Sequence, residues 1–310
     1  MLLSLPLELV LLVLENLALP SLADALAVSP HLTAAIMAAA PSLVTKQPTL
    51  LHVAAARDHA ALLQHLLAIL PAATLDARRH TPLYRAAEAG ALSSLRLLLA
   101  RGTAEPERLF ASESPLAVAA RRGHLAAVSL LLQSSSAPAV GRALVAASGA
   151  GHTSVAALLL AHPASRAVLG SALCAAAAAG SHEIIALLRA AGAKPGAPDA
   201  DGSTPLHHAA RAAKADIAAL LVAAPGVKVD AQDVHGWSPL HCAVFADATD
   251  VVGVLVAAGA DRELLNDHGV PAGGWPQEEP VAAVETPVQT ALPAAVDVPV
   301  DTPRVVEVAA

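Results

Sequence analysis

The feature that most constrains the fold is a short block that recurs along most of the chain. Its cleanest copy is the stretch 204–210, Thr-Pro-Leu-His-His-Ala-Ala. A threonine followed by proline suits the first turn of a helix, because the hydroxyl caps free backbone N–H groups and proline there removes no intrahelical hydrogen bond. The stretch 216–221, Asp-Ile-Ala-Ala-Leu-Leu, has the apolar pattern of a second helix. The block therefore predicts a pair of short helices.

Copies of this block can be aligned on their first residue. They start at Thr49, Thr81, Ser114, Arg142, Ser171, Thr204 and Ser238. Successive spacings are 32, 33, 28, 29, 33 and 34 residues. A glycine ahead of a leucine-rich segment also recurs, at Gly90, Gly123, Gly151 and Gly180. Two half-motifs at a fixed offset predict a stack of about seven helix pairs.

The motif Thr-Pro-Leu-His-x-Ala-Ala is that of the ankyrin repeat, and the chain resembles this family from residue 49 to about 265. The resemblance implies an all-α solenoid in which each repeat packs on its neighbours. An apolar content of 55% with only 2% aromatic residues fits thin helices that pack closely. The repeats that start at Arg142 and Ser171 lack the usual Asp-x-x-Gly turn, so we predict trimmed fingers there and a role as spacers.

Residues 1–42 lie outside the repeat register and have their own helical pattern. The opening Leu-Pro-x-Glu-Leu, followed by an aliphatic pair and a further leucine, resembles an F-box. The resemblance implies a three-helix segment that binds the Skp-family adaptor of a cullin-RING ligase. The residues it assigns to adaptor binding are Leu5, Pro6, Leu9, Val13 and Leu17. The alternative is a plain helical cap that covers the apolar end of the solenoid.

The ankyrin resemblance also locates a surface for a target protein. In this fold the residues just before the motif and just before the glycine line the concave face. Carried over by position, the target-binding residues are Arg57, Arg78, Arg79, Glu88, Arg121, Arg122, Arg211, His235, Trp237 and Phe245. The arginines predict an acidic or phosphorylated partner, because a guanidinium pairs with a carboxylate or phosphate through two hydrogen bonds. Trp237 is either an anchor for that partner or packs on the neighbouring finger.

No catalytic or metal-binding motif is found in the sequence: His-Glu-x-x-His, Cys-x-x-Cys and Gly-x-Ser-x-Gly are all absent. We therefore expect no enzyme activity, no metal and no cofactor. Cys174 and Cys242 are expected to be small buried side chains on first helices. A net charge of −7 without a Lys/Arg run argues against nucleic acid as a partner.

The charge-free stretch 143–165 aligns with a helix pair, so we expect a buried repeat and no membrane partner. The low cysteine content indicates an intracellular protein, cytoplasmic or nuclear. Residues 271–310 hold seven prolines and six acids and predict a disordered tail. Together these features predict a protein–protein interaction module that serves as substrate receptor of an SCF-type cullin-RING ubiquitin ligase. The alternative is an ankyrin scaffold or inhibitor.

Overall fold

The computed structural model describes residues 49–71, 74–102 and 113–274, all of which lie in one compact unit. The predicted F-box-like segment, 1–42, lies outside the described residues and stays a prediction. The same holds for the predicted tail from residue 275 onward. The first four residues of the predicted disordered tail, 271–274, are described and are folded. They pack onto the last repeat, where Ala272 is fully buried and Pro271 pairs with Leu265.

The described residues form fourteen α-helices arranged in seven consecutive pairs, and no named β-strand occurs among them. The helices are α1 Leu50–Ala56, α2 Ala60–Ile69, α3 Pro82–Ala89, α4 Leu92–Ala100, α5 Pro115–Arg121, α6 Leu125–Leu132, α7 Ala137–Ala150, α8 Thr153–Leu160, α9 Leu169–Ala179, α10 His182–Ala190, α11 Pro205–Arg211, α12 Ala215–Val222, α13 Pro239–Phe245 and α14 Thr249–Ala257. This confirms the predicted all-α solenoid.

The repeated motif starts its helices through side-chain caps. In the second repeat the Thr81 hydroxyl accepts a hydrogen bond from the Tyr84 N–H at 3.1 Å. In the sixth repeat the Thr204 N–H donates to His207 Nδ1 at 3.0 Å, so the motif histidine closes its own first turn. Thr49, in the first repeat, makes no such side-chain cap.

One apolar core runs through the described repeats, and each repeat supplies equivalent residues to it. First helices contribute small buried residues, which let neighbouring helices approach closely: Ala54, Ala86, Ala119, Ala147, Ala176, Ala209 and Ala243. Second helices contribute buried leucines: Leu66, Leu98, Leu131, Leu159, Leu188, Leu221 and Leu255. Since burying one leucine side chain contributes about 1.5–3 kcal/mol, this ladder is the main source of stability.

The turn between the two helices of a repeat takes two chemical forms. At Gly123, φ is 77° and an added Cβ would lie 2.7 Å from the His152 ring of the next repeat. His152 Nε2 in turn hydrogen-bonds the Arg121 carbonyl at 3.0 Å. In the first repeat, Asp58 holds the equivalent place with φ 57°, and its carboxylate accepts the Ser94 N–H at 2.7 Å. The predicted glycine is thus replaced in some repeats.

Fingers join several of the repeats, and each is folded by one side chain. An oxygen of that side chain accepts the backbone N–H groups two and four residues further on, at 2.8–3.0 Å, at Asp76, Asp199, Asp233 and Asn266. Each finger is numbered by the repeat that it precedes. The seventh finger is also held by His207 of the sixth repeat, whose Nε2 hydrogen-bonds the Trp237 carbonyl at 2.9 Å.

The fourth and fifth repeats connect without such a finger. Ser136 caps α7, which begins before Arg142, so the aligned motif position lies inside the helix. A 3-10 helix, Pro163–Val168, then leads directly into α9. The short spacing of these repeats therefore reflects helical segments in the place that a finger takes elsewhere.

Among the described helices, no single one is both long and apolar enough to cross a membrane. Thr153–Leu160 and Pro163–Ala179 meet those criteria only together, and they are bent by 113° at the break between them.

Candidate peptide-binding groove

A groove of about 770 Å³ lies along the first three repeats. Its walls come from α1, from the finger that follows α2, from α3 and from the end of α5. Small residues such as Ala56 and Ala89 leave room inside it. The charged residues that line this arginine groove are Arg57, Arg78, Arg85, Arg122, Asp76 and Glu88.

Asp76 lies in the finger that follows α2 and holds both the finger backbone and Arg85 in place. One carboxylate oxygen accepts the N–H groups of Arg78 and His80, both at 2.8 Å, and the other accepts Arg85 Nε at 2.9 Å and Nη2 at 2.8 Å. Burial opposes ionisation of Asp76, but the hydrogen bonds from the His80 backbone and from Arg85 outweigh it and lower the pKa. The ionised carboxylate therefore fixes both the finger and the Arg85 guanidinium.

Glu88 connects the second repeat to the third. Its carboxylate accepts Arg85 Nη1 at 3.1 Å and Arg122 Nη2 at 2.8 Å. Burial opposes ionisation here too, but Arg122 and Arg85 lower the pKa of Glu88 below its usual value. Glu88 thus positions two arginines, and its predicted contact with a target stays a prediction.

The groove has an excess of positive charge. Four arginines face two carboxylates, and both carboxylates already accept hydrogen bonds from arginines. The Arg122 side chain remains 51% exposed, so an incoming carboxylate or phosphate can reach its guanidinium. An arginine held in place by one carboxylate loses little further side-chain entropy when it binds a second anion.

The structure separates the arginines predicted for the finger that follows α2 from one another, and likewise those at the end of α5. Arg78 and Arg122 line the groove, whereas Arg79 and Arg121 are not among its lining residues. Arg121 forms a two-bond ion pair with Glu113, at 2.9 and 2.6 Å, which raises the pKa of its guanidinium. Two of these four arginines therefore line the groove, and two do not.

Arg85 and Asp76 are the charged groove residues that sequence reasoning missed. Arg85 lies nine residues after the finger aspartate, Asp76. The same spacing separates His208 from Asp199, and those side chains also meet, with His208 Nε2 and Asp199 Oδ2 2.7 Å apart. A basic residue nine positions after a finger aspartate is the sequence pattern that could have identified Arg85.

The predicted target-binding residues of the sixth and seventh repeats form a second, aromatic group. Trp237 packs partly against the core and meets Phe245 edge to face, with ring centroids 5.4 Å apart. Phe245 is 78% exposed. Arg211 reaches Cys242 Sγ at 3.7 Å, and His235 lies exposed at the finger turn. The exposed ring of this group is thus Phe245, with Trp237 supporting it.

Both cysteines are free and buried, as expected for small core side chains. Burial raises the pKa of the Cys174 thiol to about 12, with a further contribution from the Asp199 charge. Cys174 Sγ, an Asp199 carboxylate oxygen and a His208 ring nitrogen all lie within 4.8 Å of one another. No metal-ligand motif in the sequence pointed to this cluster, because its members come from three different elements.

Comparison with known proteins gives one match. Residues 173–266 match the family model described as ankyrin repeats (3 copies), which covers the chain from α9 to the last finger. No curated protein matches the chain. Ankyrin repeats indicate a protein–protein interaction module. Residues 173–266 thus resemble ankyrin repeats, and the helical architecture of the described residues is that of an ankyrin solenoid.

Proposed function

We propose that the chain is a target receptor of an SCF-type cullin-RING ubiquitin ligase, in which the arginine groove binds the target and residues 1–42 bind a Skp-family adaptor. The observation that carries the target-binding half is the groove itself, with its four arginines and their supporting carboxylates. The chain would form no covalent bond; it would hold the target at high effective concentration beside the conjugating enzyme.

The chemistry of the groove favours an acidic or phosphorylated segment as its ligand. Arg78 and Arg122 belong to neighbouring repeats, so an extended segment could contact both. A carboxylate or phosphate of the segment would compete with Glu88 for the half-exposed Arg122 guanidinium. Charge-assisted hydrogen bonds of this kind contribute about 1.5–3 kcal/mol each.

The groove can be tested with a fluorescein-labelled oligoglutamate peptide, using a neutral oligoglutamine peptide as reference. We expect the wild type to bind the acidic peptide more tightly, and Arg78→Glu with Arg122→Glu to weaken it at least about tenfold. The matched control combines Arg96→Glu and Arg142→Glu, two exposed arginines that do not line the groove. Equal losses in the two double variants would show that net charge alone attracts the peptide.

The adaptor-binding half is supported by the Leu-Pro-x-Glu-Leu opening of the chain. The test is direct binding of the full chain to a purified Skp-family adaptor, beside the variant with Leu5→Asp and Leu9→Asp. We expect that variant to lose adaptor binding but to keep oligoglutamate binding. The Arg78→Glu, Arg122→Glu variant should behave in the opposite way.

The alternative function, a scaffold or inhibitor with a helical cap, gives a different pattern. A cap buries its leucines against the first repeat, so Leu5→Asp with Leu9→Asp would lower the unfolding midpoint of the solenoid. In that case the wild type would not bind the adaptor, although its groove would still bind the acidic peptide.

A further inference from the structure

A cluster of three metal-ligating side chains lies where the fifth repeat meets the finger of the sixth. Cys174 comes from α9, Asp199 from the finger and His208 from α11. Their candidate ligand atoms lie within 4.8 Å of one another, and His208 Nε2 and Asp199 Oδ2 are 2.7 Å apart. Ligands of a tetrahedral zinc ion are separated by about 3.3–3.8 Å, given bonds of about 2.0–2.3 Å. Shifts of about 1 Å would therefore bring all three to one ion.

Cys174 departs from the repeat motif in a way that leaves its sulfur poorly bonded. It occupies the place that His207 and His241 hold in the next two repeats. Those histidines bond carbonyls of the following finger at 2.9 and 3.0 Å. Cys174 Sγ instead lies 3.7 Å from the Ser203 carbonyl, which a thiol can satisfy only weakly.

The junction between the sixth and seventh repeats contains the same three residue types at equivalent positions. His207, Asp233 and Cys242 occupy the corresponding positions, with the cysteine and histidine exchanged. Both ring nitrogens of His207 are already used, one at the Thr204 cap and the other at a finger carbonyl. This second set is not among the clusters within ligating distance. It is therefore an internal control for the first.

The surroundings of Asp199 orient it toward the cluster. Its Oδ1 accepts the N–H groups of Asp201 at 3.0 Å and Ser203 at 2.9 Å, which leaves Oδ2 to face His208. Such outer hydrogen bonds fix the orientation of metal-ligating carboxylates. The side chains of Asp199 and His208 are 17% and 24% exposed, so an ion has access from solvent.

We propose that Cys174, Asp199 and His208 bind one Zn²⁺ ion, with a water molecule as fourth ligand. A thiolate, an imidazole and a carboxylate form a donor set that suits zinc, whereas Mg²⁺ and Ca²⁺ prefer oxygen alone. On binding, the Cys174 S–H bond breaks, the sulfur–zinc bond forms, and the proton passes to solvent. The ion replaces a weak thiol contact with coordinate bonds that join α9, the sixth finger and α11.

The test uses the full chain, stripped with EDTA and titrated with Co²⁺ as a spectroscopic substitute for Zn²⁺. We expect a thiolate-to-cobalt charge-transfer band that saturates at one ion per chain and is abolished by added Zn²⁺. Cys174→Ser should remove the band and weaken Zn²⁺ binding by more than the roughly 10–100-fold typical of outer-shell changes. Asp199→Asn should weaken binding while the band persists at high Co²⁺.

Cys242→Ser is the matched control, because it removes the other buried thiol, which lies at the equivalent junction between the sixth and seventh repeats. It should leave the charge-transfer band and the affinity unchanged. Circular dichroism spectra of both serine variants verify that the helices remain folded. A wild type without the band, or an equal loss in Cys174→Ser and Cys242→Ser, would overturn the proposal.

Discussion

The fifth and sixth repeats are neighbours with the same core but different starts. Both bury an equivalent leucine on the first helix, Leu173 in one and Leu206 in the other, each fully inaccessible. The sixth repeat follows a finger and begins at a capped Thr204–Pro205 turn, whereas α9 continues from a 3-10 helix. Apolar stacking alone is therefore sufficient to form a repeat. The finger is an addition with its own polar bonds.

The difference originates in two residues of the motif. Ser171 aligns with Thr204 but is the third residue of α9 and exposed, so it caps nothing. Ala172 takes the place of Pro205 and keeps its backbone N–H, so the helix can begin earlier, at Leu169. A finger would require those residues to leave the helix.

Leucine-to-alanine variants in the shared core should change the free energy of unfolding most. Leu173→Ala and Leu206→Ala should each lower the free energy of unfolding by about 2–5 kcal/mol, because each leaves a cavity in the continuous leucine and alanine ladder. Urea unfolding followed by circular dichroism measures both. A much smaller loss for Leu173→Ala would contradict the view that stacking holds the two repeats equally.

The next effect separates the polar links. His207→Ala should lower the free energy of unfolding by about 1–3 kcal/mol beyond the lost packing, because it leaves the Thr204 N–H and the Trp237 carbonyl without partners. Cys174→Ala, measured in EDTA, should lose less, since it removes only a weak 3.7 Å contact. The reverse order would mean that the thiol link is stronger than its geometry indicates.

Substitutions in the turns between the two helices of a repeat should have smaller effects on stability, of opposite sign in the two repeats. Ala213 of the sixth repeat has φ 54°, while Gly180 holds the equivalent place in the fifth with φ 78°. Ala213→Gly should therefore raise stability, and Gly180→Ala should lower it, by about 1 kcal/mol each. An added methyl at Gly180 would also meet the Lys214 side chain at 3.1 Å. Thermal unfolding midpoints that move in the same direction for both variants would contradict this.

The smallest effect is the response to acid. Burial lowers the pKa of His207, so the unfolded chain takes up a proton near pH 6.5 while the folded chain does not. The stability contributed by the neutral ring is therefore full well above pH 6.5 and falls as the pH drops through 6.5 toward 5. We expect His207→Gln to show a weaker pH dependence over this range. An unchanged slope would assign the acid response to other groups.

Sequence reasoning predicted the fold well because the repeat signal is local. The threonine–proline starts, the leucine-rich second helices and the missing fingers of the central repeats can all be read within about 35 residues of sequence. Arg57, Arg78 and Arg122, which the sequence predicts to bind a target, line the groove, and their role in binding stays a prediction.

The parts that sequence reasoning missed depend on contacts between elements. Glu88 accepts a hydrogen bond from Arg122, which lies 34 residues further along the chain, so this bridge between repeats could not be predicted from local sequence. The pairing of Arg121 with Glu113 joins the end of α5 to the residue before its N-cap, eight positions earlier, which no sequence pattern indicated. Positional carry-over from a family does not predict which charged residues neutralise each other.

The two kinds of turn described above bear on how such an array could be rearranged. The His152 ring occupies the space beside Gly123, so the repeat that contains His152 requires glycine at this position of the preceding repeat. Where Asp58 bonds the Ser94 N–H, the later repeat instead requires a carboxylate from the earlier one. Repeats exchanged between these places by recombination would meet a clash or an unpaired N–H. The order of the units is thus encoded at their junctions, so duplication of single repeats should be tolerated only next to a matching neighbour.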